Sequence, residues 1–196
     1  MTAGAADVTG CILAGGRGRR LGGAVKPLLV VDGERIVDRQ RRVLAPRVAE
    51  LLLAIAAPGG GPLAELGLAT AVDRFAEAGP LAGVDAALAA RDRPWLLVVA
   101  GDMPDLRGEL LDVLLAARSP AVDAVVPRVG GYPEPLLALY ARTAAPAIER
   151  ALAGGRRKTQ AILDELRVAW LDEPALRAAD PELASFRNVN HLHQLG

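Results

Sequence analysis

Aromatic residues are scarce in this sequence, at 3% of 196 positions, and Cys11 is its one cysteine. A single cysteine forms no internal disulfide, which is typical of a protein from a reducing compartment. The formal net charge is zero, whereas proteins that bind nucleic acids or membrane surfaces depend on excess positive charge. The strongest apolar run, residues 51–57, is too short to span a bilayer, and residues 1–7 lack a signal-peptide pattern. These absences predict a cytoplasmic protein whose partners include neither nucleic acid nor a membrane.

The apolar content of the sequence predicts a folded chain with one core. Apolar residues make up 52% of the chain, which excludes a disordered protein, and 196 residues suffice to bury one continuous core. With so few aromatic residues, that core must be built from Ala, Leu and Val. No internal repeat or linker divides the sequence. We therefore expect residues 1–196 to form a single domain.

Short apolar runs alternate with longer stretches of helical periodicity. The runs predict buried strands at residues 8–13, 51–56, 69–72, 95–100 and 122–126. The periodic stretches predict helices at residues 36–48, 81–90 and 109–117. Because the strand runs are continuously apolar, we expect an α/β fold in which helices cover both faces of a mostly parallel sheet. Ligands of such folds bind at the carboxyl ends of the strands.

The pattern becomes less regular after Gly130. Residues 133–140 predict a strand that need not be parallel to the others. Residues 142–153 predict a helix that ends at Gly154 and Gly155, because glycine commonly ends helices. Residues 159–166 predict a further short helix.

A loop rich in Gly and Arg follows the first predicted strand, at residues 13–26. Its glycines let the backbone approach a ligand closely, and successive N–H groups in such a loop can cradle an anion. Its arginines and Lys26 add charged donors for phosphate oxygens. The segment contains no Walker sequence, and Leu21 stands where a dinucleotide fingerprint needs its third glycine. The loop therefore favours phosphate binding of another kind, and the alternative is a solvated, flexible loop.

Asp102 follows the clearest predicted strand, residues 95–100, in the string Gly101-Asp102-Met103-Pro104-Asp105. A carboxylate at the end of a central strand lies where α/β enzymes hold metals and ligands. Such a carboxylate can bind Mg²⁺ while a triphosphate supplies further oxygens. The alternative is that Asp102 caps the next helix, although Asp105 is the better capping candidate.

Asp73 follows the predicted strand at residues 69–72 and invites the same interpretation. The segment 79–83 then opens a helix with Gly on both sides of Pro80. Small residues there would let a flat ring or a backbone approach closely. The alternative is an ordinary helix start with proline in the first turn.

Strings spread over nearly the whole chain match a known family. They are Leu13-Ala14-Gly15-Gly16 with Arg20-Leu21-Gly22 and Lys26, Asp73 ahead of Gly79-Pro80-Leu81-Ala82-Gly83, Gly101-Asp102-Met103-Pro104, Glu134-Pro135-Leu136 with Tyr140, and Phe186-Arg187-Asn188-Val189-Asn190. Together they are specific for the nucleotidyltransferase superfamily, and the chain resembles its molybdenum cofactor guanylyltransferases, the MobA family. The resemblance implies one nucleotidyltransferase domain over residues 1–196. The implied fold is a Rossmann-like three-layer α/β/α sandwich with a mostly parallel sheet, of the nucleotide-diphospho-sugar transferase type.

The resemblance also implies an activity. The family transfers GMP from GTP to the terminal phosphate of molybdopterin, which forms the molybdopterin guanine dinucleotide cofactor and releases pyrophosphate. The implied cofactor is Mg²⁺, and the implied partners are GTP and molybdopterin as substrates. Transient contact with molybdenum cofactor biosynthesis proteins or target apoenzymes is implied as well. Because the attacking phosphate is already an anion, we expect catalysis mainly by positioning and electrostatic stabilisation.

The resemblance assigns roles to individual residues. The implied catalytic residues are Arg20, Lys26 and Asp102, and Asp102 is the implied metal ligand. The implied nucleotide-binding residues are Leu13, Ala14, Gly15, Gly16, Arg17, Lys26, Asp73, Gly79, Pro80, Leu81 and Asp102. The implied acceptor-binding residues are Arg156, Asn188 and Asn190.

The sequence departs from the family pattern at several places. Val25 replaces a usual acid, Gly18 replaces a usual Ser, the second predicted strand lacks an Asn, and His191-Leu192-His193 replaces Thr-Pro-Glu. One alternative is therefore another nucleotidyltransferase, for cytidylyl transfer to molybdopterin or for transfer to a sugar phosphate or another phosphorylated small molecule. A second is a nucleotide-binding regulatory domain without efficient catalysis.

Overall fold

A computed structural model describes residues 6–15 and 25–189 of the chain. Its strands are β1 (Val8–Leu13), β2 (Val30–Val31), β3 (Glu34–Arg35), β4 (Glu50–Ile55), β5 (Ala69–Val72), β6 (Trp95–Ala100), β7 (Ala124–Val129), β8 (Tyr132–Pro133), β9 (Leu137–Ala141) and β10 (Val168–Leu171). Its α-helices are α1 (Ile36–Leu44), α2 (Pro80–Ala90), α3 (Gly108–Ala116), α4 (Ala145–Ala153) and α5 (Glu173–Ala179). Within the described residues, no helix has both the length and the apolar character needed to cross a membrane.

The central sheet has the strand order β10-β7-β9-β6-β1-β4-β5, and β8 pairs with β7. The pairs β1–β4, β1–β6, β4–β5 and β7–β10 are parallel. Strand β9 lies antiparallel to both β6 and β7. The mostly parallel sheet is thus confirmed, and the strand expected near residues 133–140 is the antiparallel one. β2 and β3 form a separate antiparallel hairpin.

Helices cover both faces of the sheet, which confirms the three-layer sandwich. Neighbouring residues of a strand point to opposite faces, so Val98 packs in the layer beneath α2 and α4, whereas Val99 packs beneath α1, α3 and α5. Both layers are built almost wholly from aliphatic side chains, and Tyr140 is the largest side chain that is fully buried. The scarcity of aromatic residues therefore leaves a core of Ala, Val, Leu and Ile.

Several predicted bounds are corrected by the structure. The helix predicted at residues 36–48 ends at Leu44 and continues as a 3-10 turn, Ala45–Arg47. Pro46 explains this end, because proline has no N–H to donate to the preceding helical turn. The segment predicted as an α-helix at residues 159–166 is a 3-10 helix, Thr159–Glu165. The predicted strand 133–140 is divided at residues 134–136, next to Pro135, which cannot donate to a sheet.

Candidate functional site

The carboxyl ends of four strands meet at one edge of the sheet. Leu13 on β1 lies opposite Ala54 on β4 and Ala100 on β6. On the next strand, Val72 of β5 lies opposite Ile55 of β4. The loops that follow these strands surround a cavity of about 610 Å³. This is the edge at which the sequence predicted a ligand site.

Most of the predicted nucleotide-binding residues that the structure describes line this cavity. They are Leu13, Ala14, Gly15, Lys26, Asp73, Gly79, Pro80 and Asp102. Segments far apart in the sequence therefore meet around one space.

Lys26 and Asp102 form an ion pair in the wall of the cavity. Lys26 begins a 3-10 turn, and its Nζ lies 2.5 Å from Oδ2 of Asp102. Their side chains are 28% and 16% exposed, so both charges can be reached by a ligand. An anion can bind to Lys26 in place of Asp102, and a cation can bind to Asp102 in place of Lys26.

Asp102 does not cap the helix that follows it. Helix α3 begins at Gly108, and its N-cap residue Arg107 makes no side-chain capping bond. Asp105, the other capping candidate, lies 3.6 Å from Arg39 in an ion pair. The capping alternative is therefore wrong for Asp102, and its carboxylate faces the cavity.

The turn that carries Asp102 has no room for a side chain at Gly101. A Cβ atom at Gly101 would lie 2.6 Å from Cγ of Pro27 and 2.7 Å from the carbonyl oxygen of Leu13. On the other side, the Val189 N–H donates to the carbonyl of Asp102 at 2.9 Å. The turn is thus held between the segment that carries Lys26 and the C-terminal segment.

Asp73 has a carboxylate oxygen that lacks a partner among the described residues. Its Oδ2 lies 3.5 Å from the position of a Cβ atom at Gly15, and its Oδ1 lies 3.8 Å from the equivalent position at Gly83. Oδ1 is buried and has no hydrogen-bond partner among the described residues. Burial, and then the negative charge of Asp85, raise the pKa of Asp73 to about 6. A buried acceptor of this kind suits a ligand that brings N–H donors.

Helix α2 begins at the edge of the cavity. Its N-cap, Gly79, has φ 74° and ψ −163°, a conformation that glycine adopts without strain. Pro80 follows in the first turn, where its missing N–H removes no helical bond. Gly83 lets the helix pack closely, since a Cβ there would lie 2.9 Å from Cδ2 of Leu13. The positive end of the helix dipole at this start favours an anion.

Some predicted site residues lie elsewhere. Leu81 is fully buried in the core and does not line the cavity. Arg156 forms an ion pair with Glu165, and its neighbour Arg157 lines the cavity instead. Asn188 is exposed outside the cavity lining. The remaining predicted residues lie outside the described residues: Gly16, Arg17, Arg20 and Asn190.

Other cavity residues were not predicted from the sequence. They include Pro27, Ala56, Glu77, Leu136 and Arg157. Pro27 directly follows Lys26, and Leu136 belongs to the string Glu134-Pro135-Leu136 that matches the family. This position in the sequence is the one signal that indicates them. Ala54 and Ala56 line the wall at the end of β4, where the family usually has an Asn. Their short side chains leave base recognition to other groups.

The acidic residues of the cavity fit a metal that takes most of its ligands from a bound phosphate. In the part of the chain that the structure describes, no group of three or more His, Cys, Asp or Glu residues converges on one point. Mg²⁺ is usually held by one or two carboxylates together with waters and substrate phosphates. Asp102 fits this role, since Lys26 contacts only its Oδ2 atom.

Comparison with known proteins identifies the family of this chain. The family model described as the MobA-like NTP transferase domain matches residues 10–170. The molybdenum cofactor guanylyltransferase of Desulfosudis oleivorans is 34% identical over 190 residues, which cover 96% of this chain and 92% of that protein. A probable molybdenum cofactor guanylyltransferase of Pelotomaculum thermopropionicum is 39% identical over 185 residues, covering 94% of this chain and 88% of the relative.

Solved structures share the fold. Molybdopterin-guanine dinucleotide biosynthesis protein A from Archaeoglobus fulgidus matches with a TM-score of 0.82 at 30% identity, covering 95% of this chain and 94% of that one. The 2-C-methyl-D-erythritol 4-phosphate cytidylyltransferase of Thermus thermophilus, at 19% identity and a TM-score of 0.66 over 94% of each chain, shares the fold alone. With the matched residues running from β1 to β10, the chain belongs to the family of MobA-like NTP transferase domains, and it is a nucleotidyltransferase.

Proposed function

We propose that this nucleotidyltransferase transfers GMP from GTP to the terminal phosphate of molybdopterin and releases pyrophosphate. The observation that carries the proposal is one cavity that contains both the Lys26–Asp102 ion pair and the carboxylate of Asp73, whose Oδ1 has no hydrogen-bond partner among the described residues. The pair suits a metal–triphosphate, and the carboxylate of Asp73 suits a base with N–H donors. The names of the relatives at 34% and 39% identity support the same substrate and acceptor.

Guanine is the base that best matches Asp73. A carboxylate accepts hydrogen bonds and donates none while it is ionised. Guanine presents two adjacent donors, N1–H and the N2 amino group, whereas cytosine, adenine and uracil each place acceptors beside a single donor group. Gly15 and Gly83 lie beside Asp73, and Ala54 and Ala56 also line the cavity, so these small residues leave space for a flat ring. Asp73 would therefore favour GTP over the other triphosphates.

The phosphates of GTP would lie between positive groups. Lys26 offers an ammonium group, and the start of α2 offers the positive end of the helix dipole. These groups would hold the triphosphate and neutralise the charge that develops on the departing pyrophosphate. Arg157, which also lines the cavity, is suited to the anionic acceptor.

Asp102 would hold Mg²⁺ through its carboxylate. When bound, a magnesium ion neutralises phosphate charge and orients the reacting phosphate groups. Lys26 would then exchange its contact with Asp102 for a phosphate oxygen. Because both side chains are partly exposed, this exchange would cost little free energy.

The transfer itself needs no general base from the protein. A terminal phosphate oxygen of molybdopterin forms a bond to the α-phosphorus of GTP, and the bond from that phosphorus to the bridging oxygen of pyrophosphate breaks. Two anions must approach each other, so the barrier is mainly one of charge and alignment. The cavity residues act by lowering that repulsion.

Calorimetric binding of GTP, CTP, UTP and ATP, each with and without Mg²⁺, tests the proposal. We expect tight, magnesium-dependent binding of GTP and at least about tenfold weaker binding of the others, a difference of one good hydrogen bond. Preference for CTP or UTP would overturn the guanine assignment and keep the nucleotidyltransferase. If no triphosphate bound, the assignment of this cavity to the nucleotide would be wrong.

We further propose that residues 1–196 act as one nucleotidyltransferase domain in the cytoplasm. The single cysteine, Cys11, is buried in β1, and its burial raises the pKa of the thiol to about 12, which keeps it unreactive. Zero net charge agrees with small-molecule rather than nucleic-acid substrates. Transient contact with molybdenum cofactor biosynthesis proteins or target apoenzymes stays a prediction, which crosslinking in cell extracts would test.

A further inference from the structure

Gln40 is a polar residue on the buried face of α1. The residues of that face are Ile36, Val37, Gln40 and Leu44, and each of them is fully buried. Their spacing directs one side of the helix into the core, where aliphatic side chains are expected. An amide at such a position is unfavourable unless it forms hydrogen bonds, so it requires a specific explanation.

The side-chain amide of Gln40 holds both ends of the turn that carries Asp102. Its Nε2 donates to the carbonyl of Ala100 at 2.8 Å and to the carbonyl of Met103 at 2.9 Å. The Met103 N–H also donates to Ala100, at 3.3 Å, which closes the turn. Because both partners are carbonyl oxygens, only the NH₂ group of Gln40 can face them. Asp102 lies between the two bonded carbonyls.

The other end of the same amide has no partner. Gln40 Oε1 is buried and accepts no hydrogen bond from the described residues. An apolar side chain of similar length, such as methionine, would avoid this unpaired acceptor and would suit the surrounding core. Packing of the core therefore does not explain the amide of Gln40, whereas hydrogen bonding to the turn that carries Asp102 does.

We propose that Gln40 is a positioning residue for Asp102. Gln40 fixes the turn from the side of α1. The carboxylate of Asp102 therefore keeps its position when Lys26 leaves it and binds a phosphate oxygen. Gln40 itself does not line the cavity, whereas Ala100, Gly101 and Asp102 of this turn do. The inference rests on the proposed function, because it assumes that Asp102 binds magnesium with the triphosphate.

Calorimetric GTP binding by the Gln40→Met variant tests this role. Loss of both amide bonds should weaken GTP binding about tenfold in magnesium buffer, the effect of one or two net hydrogen bonds. Binding of GTP without metal should change less than about twofold, since Asp102 then takes no part. The matched control is Leu44→Ala, one helical turn further along the same buried face, which should lower the melting temperature and leave both affinities unchanged.

Two results of this experiment would overturn the role of Gln40. One is wild-type affinity of Gln40→Met for GTP in magnesium buffer. The other is an equal loss with and without magnesium, which would mean general loosening of the cavity.

An NMR measurement on the wild-type protein keeps the proposal testable if Gln40→Met does not fold. Both side-chain NH₂ protons of Gln40 should exchange slowly with solvent and shift when magnesium and GTP are added together, but not with GTP alone. Rapid exchange of these protons would contradict the proposal. If the wild type binds no GTP at all, the proposed function fails, while the exchange rate still decides whether Gln40 holds the turn.

Discussion

Nζ of Lys26 lies 2.5 Å from Oδ2 of Asp102, although 76 positions separate the two residues in the chain. The pair joins the loop after β1 to the turn after β6, two strands that are neighbours in the sheet. Each residue of the pair neutralises the charge of the other. In the proposed complex, the metal would pair with Asp102 and a phosphate with Lys26. The cavity is thus arranged around the two groups that the proposed reaction uses.

Asp102→Asn should lower turnover by at least about 100-fold, because an amide oxygen binds magnesium far more weakly than a carboxylate does. The melting temperature should change little, since asparagine has nearly the same shape as aspartate and the partner Lys26, 28% exposed, keeps access to water. Steady-state pyrophosphate release and calorimetry measure the two quantities. Asp105→Asn is the matched control, because Asp105 lies in the same segment and does not line the cavity. Near-normal turnover of Asp102→Asn would remove the metal assignment.

Asp73→Asn should abolish the pH dependence of GTP affinity near pH 6. Burial and the charge of Asp85 raise the pKa of Asp73 to about 6, so the wild type should bind GTP more weakly as the pH falls from 7 to 5. Asparagine does not titrate, and its amide group offers one acceptor in place of two. Dissociation constants measured from pH 5 to pH 8 test this. If the GTP affinity of the wild type and of Asp73→Asn changed with pH in the same way, a group other than Asp73 would be titrating.

The same substitution should stabilise the nucleotide-free protein at high pH. The folded protein holds the proton of Asp73 more tightly than the unfolded chain does, because the pKa is raised from 3.8. The contribution of Asp73 to the free energy of unfolding is therefore fully present below its ordinary pKa of 3.8 and is lost as the pH rises through about 6. The melting temperature of Asp73→Asn minus that of the wild type should be larger at pH 8 than at pH 5. A constant difference would contradict the raised pKa.

Gly101→Ala should destabilise the protein and distort the Asp102 turn. Its Cβ would meet Cγ of Pro27 at 2.6 Å and the backbone oxygen of Leu13 at 2.7 Å, and the backbone oxygen cannot rotate away. Overpacking of this kind typically lowers the free energy of unfolding by about 1–3 kcal/mol. Gly108→Ala is the comparison, since its Cβ would meet side-chain atoms of Arg47, which can move at the cost of their ion pair with Asp112, and it should therefore destabilise the protein less than Gly101→Ala. Urea unfolding compares them, and equal stabilities would refute the close approach at Gly101.

Arg157→Ala should raise KM for molybdopterin by about tenfold, the usual effect of removing one charge-assisted hydrogen bond. Its affinity for magnesium–GTP should stay unchanged if the residue serves the acceptor. Arg156→Ala is the matched control, because Arg156 is ion-paired with Glu165 outside the cavity lining. The reverse result, with Arg156 as the sensitive position, would restore the assignment made from the sequence.

The strands of the fold were largely predictable because they are continuous apolar runs. Residues 8–13, 69–72 and 95–100 have the predicted bounds, and the strands predicted at residues 51–56 and 122–126 shift by one to three residues. The β2–β3 hairpin was missed because two-residue strands carry no periodic signal, although its Asp32-Gly33 turn is a known hairpin signal. Strand β10 and helix α5 were missed because each is short and only partly buried.

The site was predictable where residues follow strands and unpredictable where tertiary contacts decide. Asp73 and Asp102 follow from the rule that parallel strands end at one edge. No sequence signal distinguishes Arg156 from Arg157, and the turn after α4, in which the Arg156 N–H bonds to Ala151, determines which one lines the cavity. Gln40 did leave a signal, because it is the polar member of an otherwise aliphatic helical face.

Molybdopterin-dependent release of pyrophosphate from GTP in the presence of Mg²⁺ tests the central claim most directly. The account predicts one pyrophosphate for each molybdopterin guanine dinucleotide detected by mass spectrometry, with little product from CTP and almost none from Asp102→Asn. Product from CTP in preference to GTP would contradict the guanylyl assignment. Absence of product from the wild type, with magnesium and both substrates bound, would contradict the proposed reaction itself.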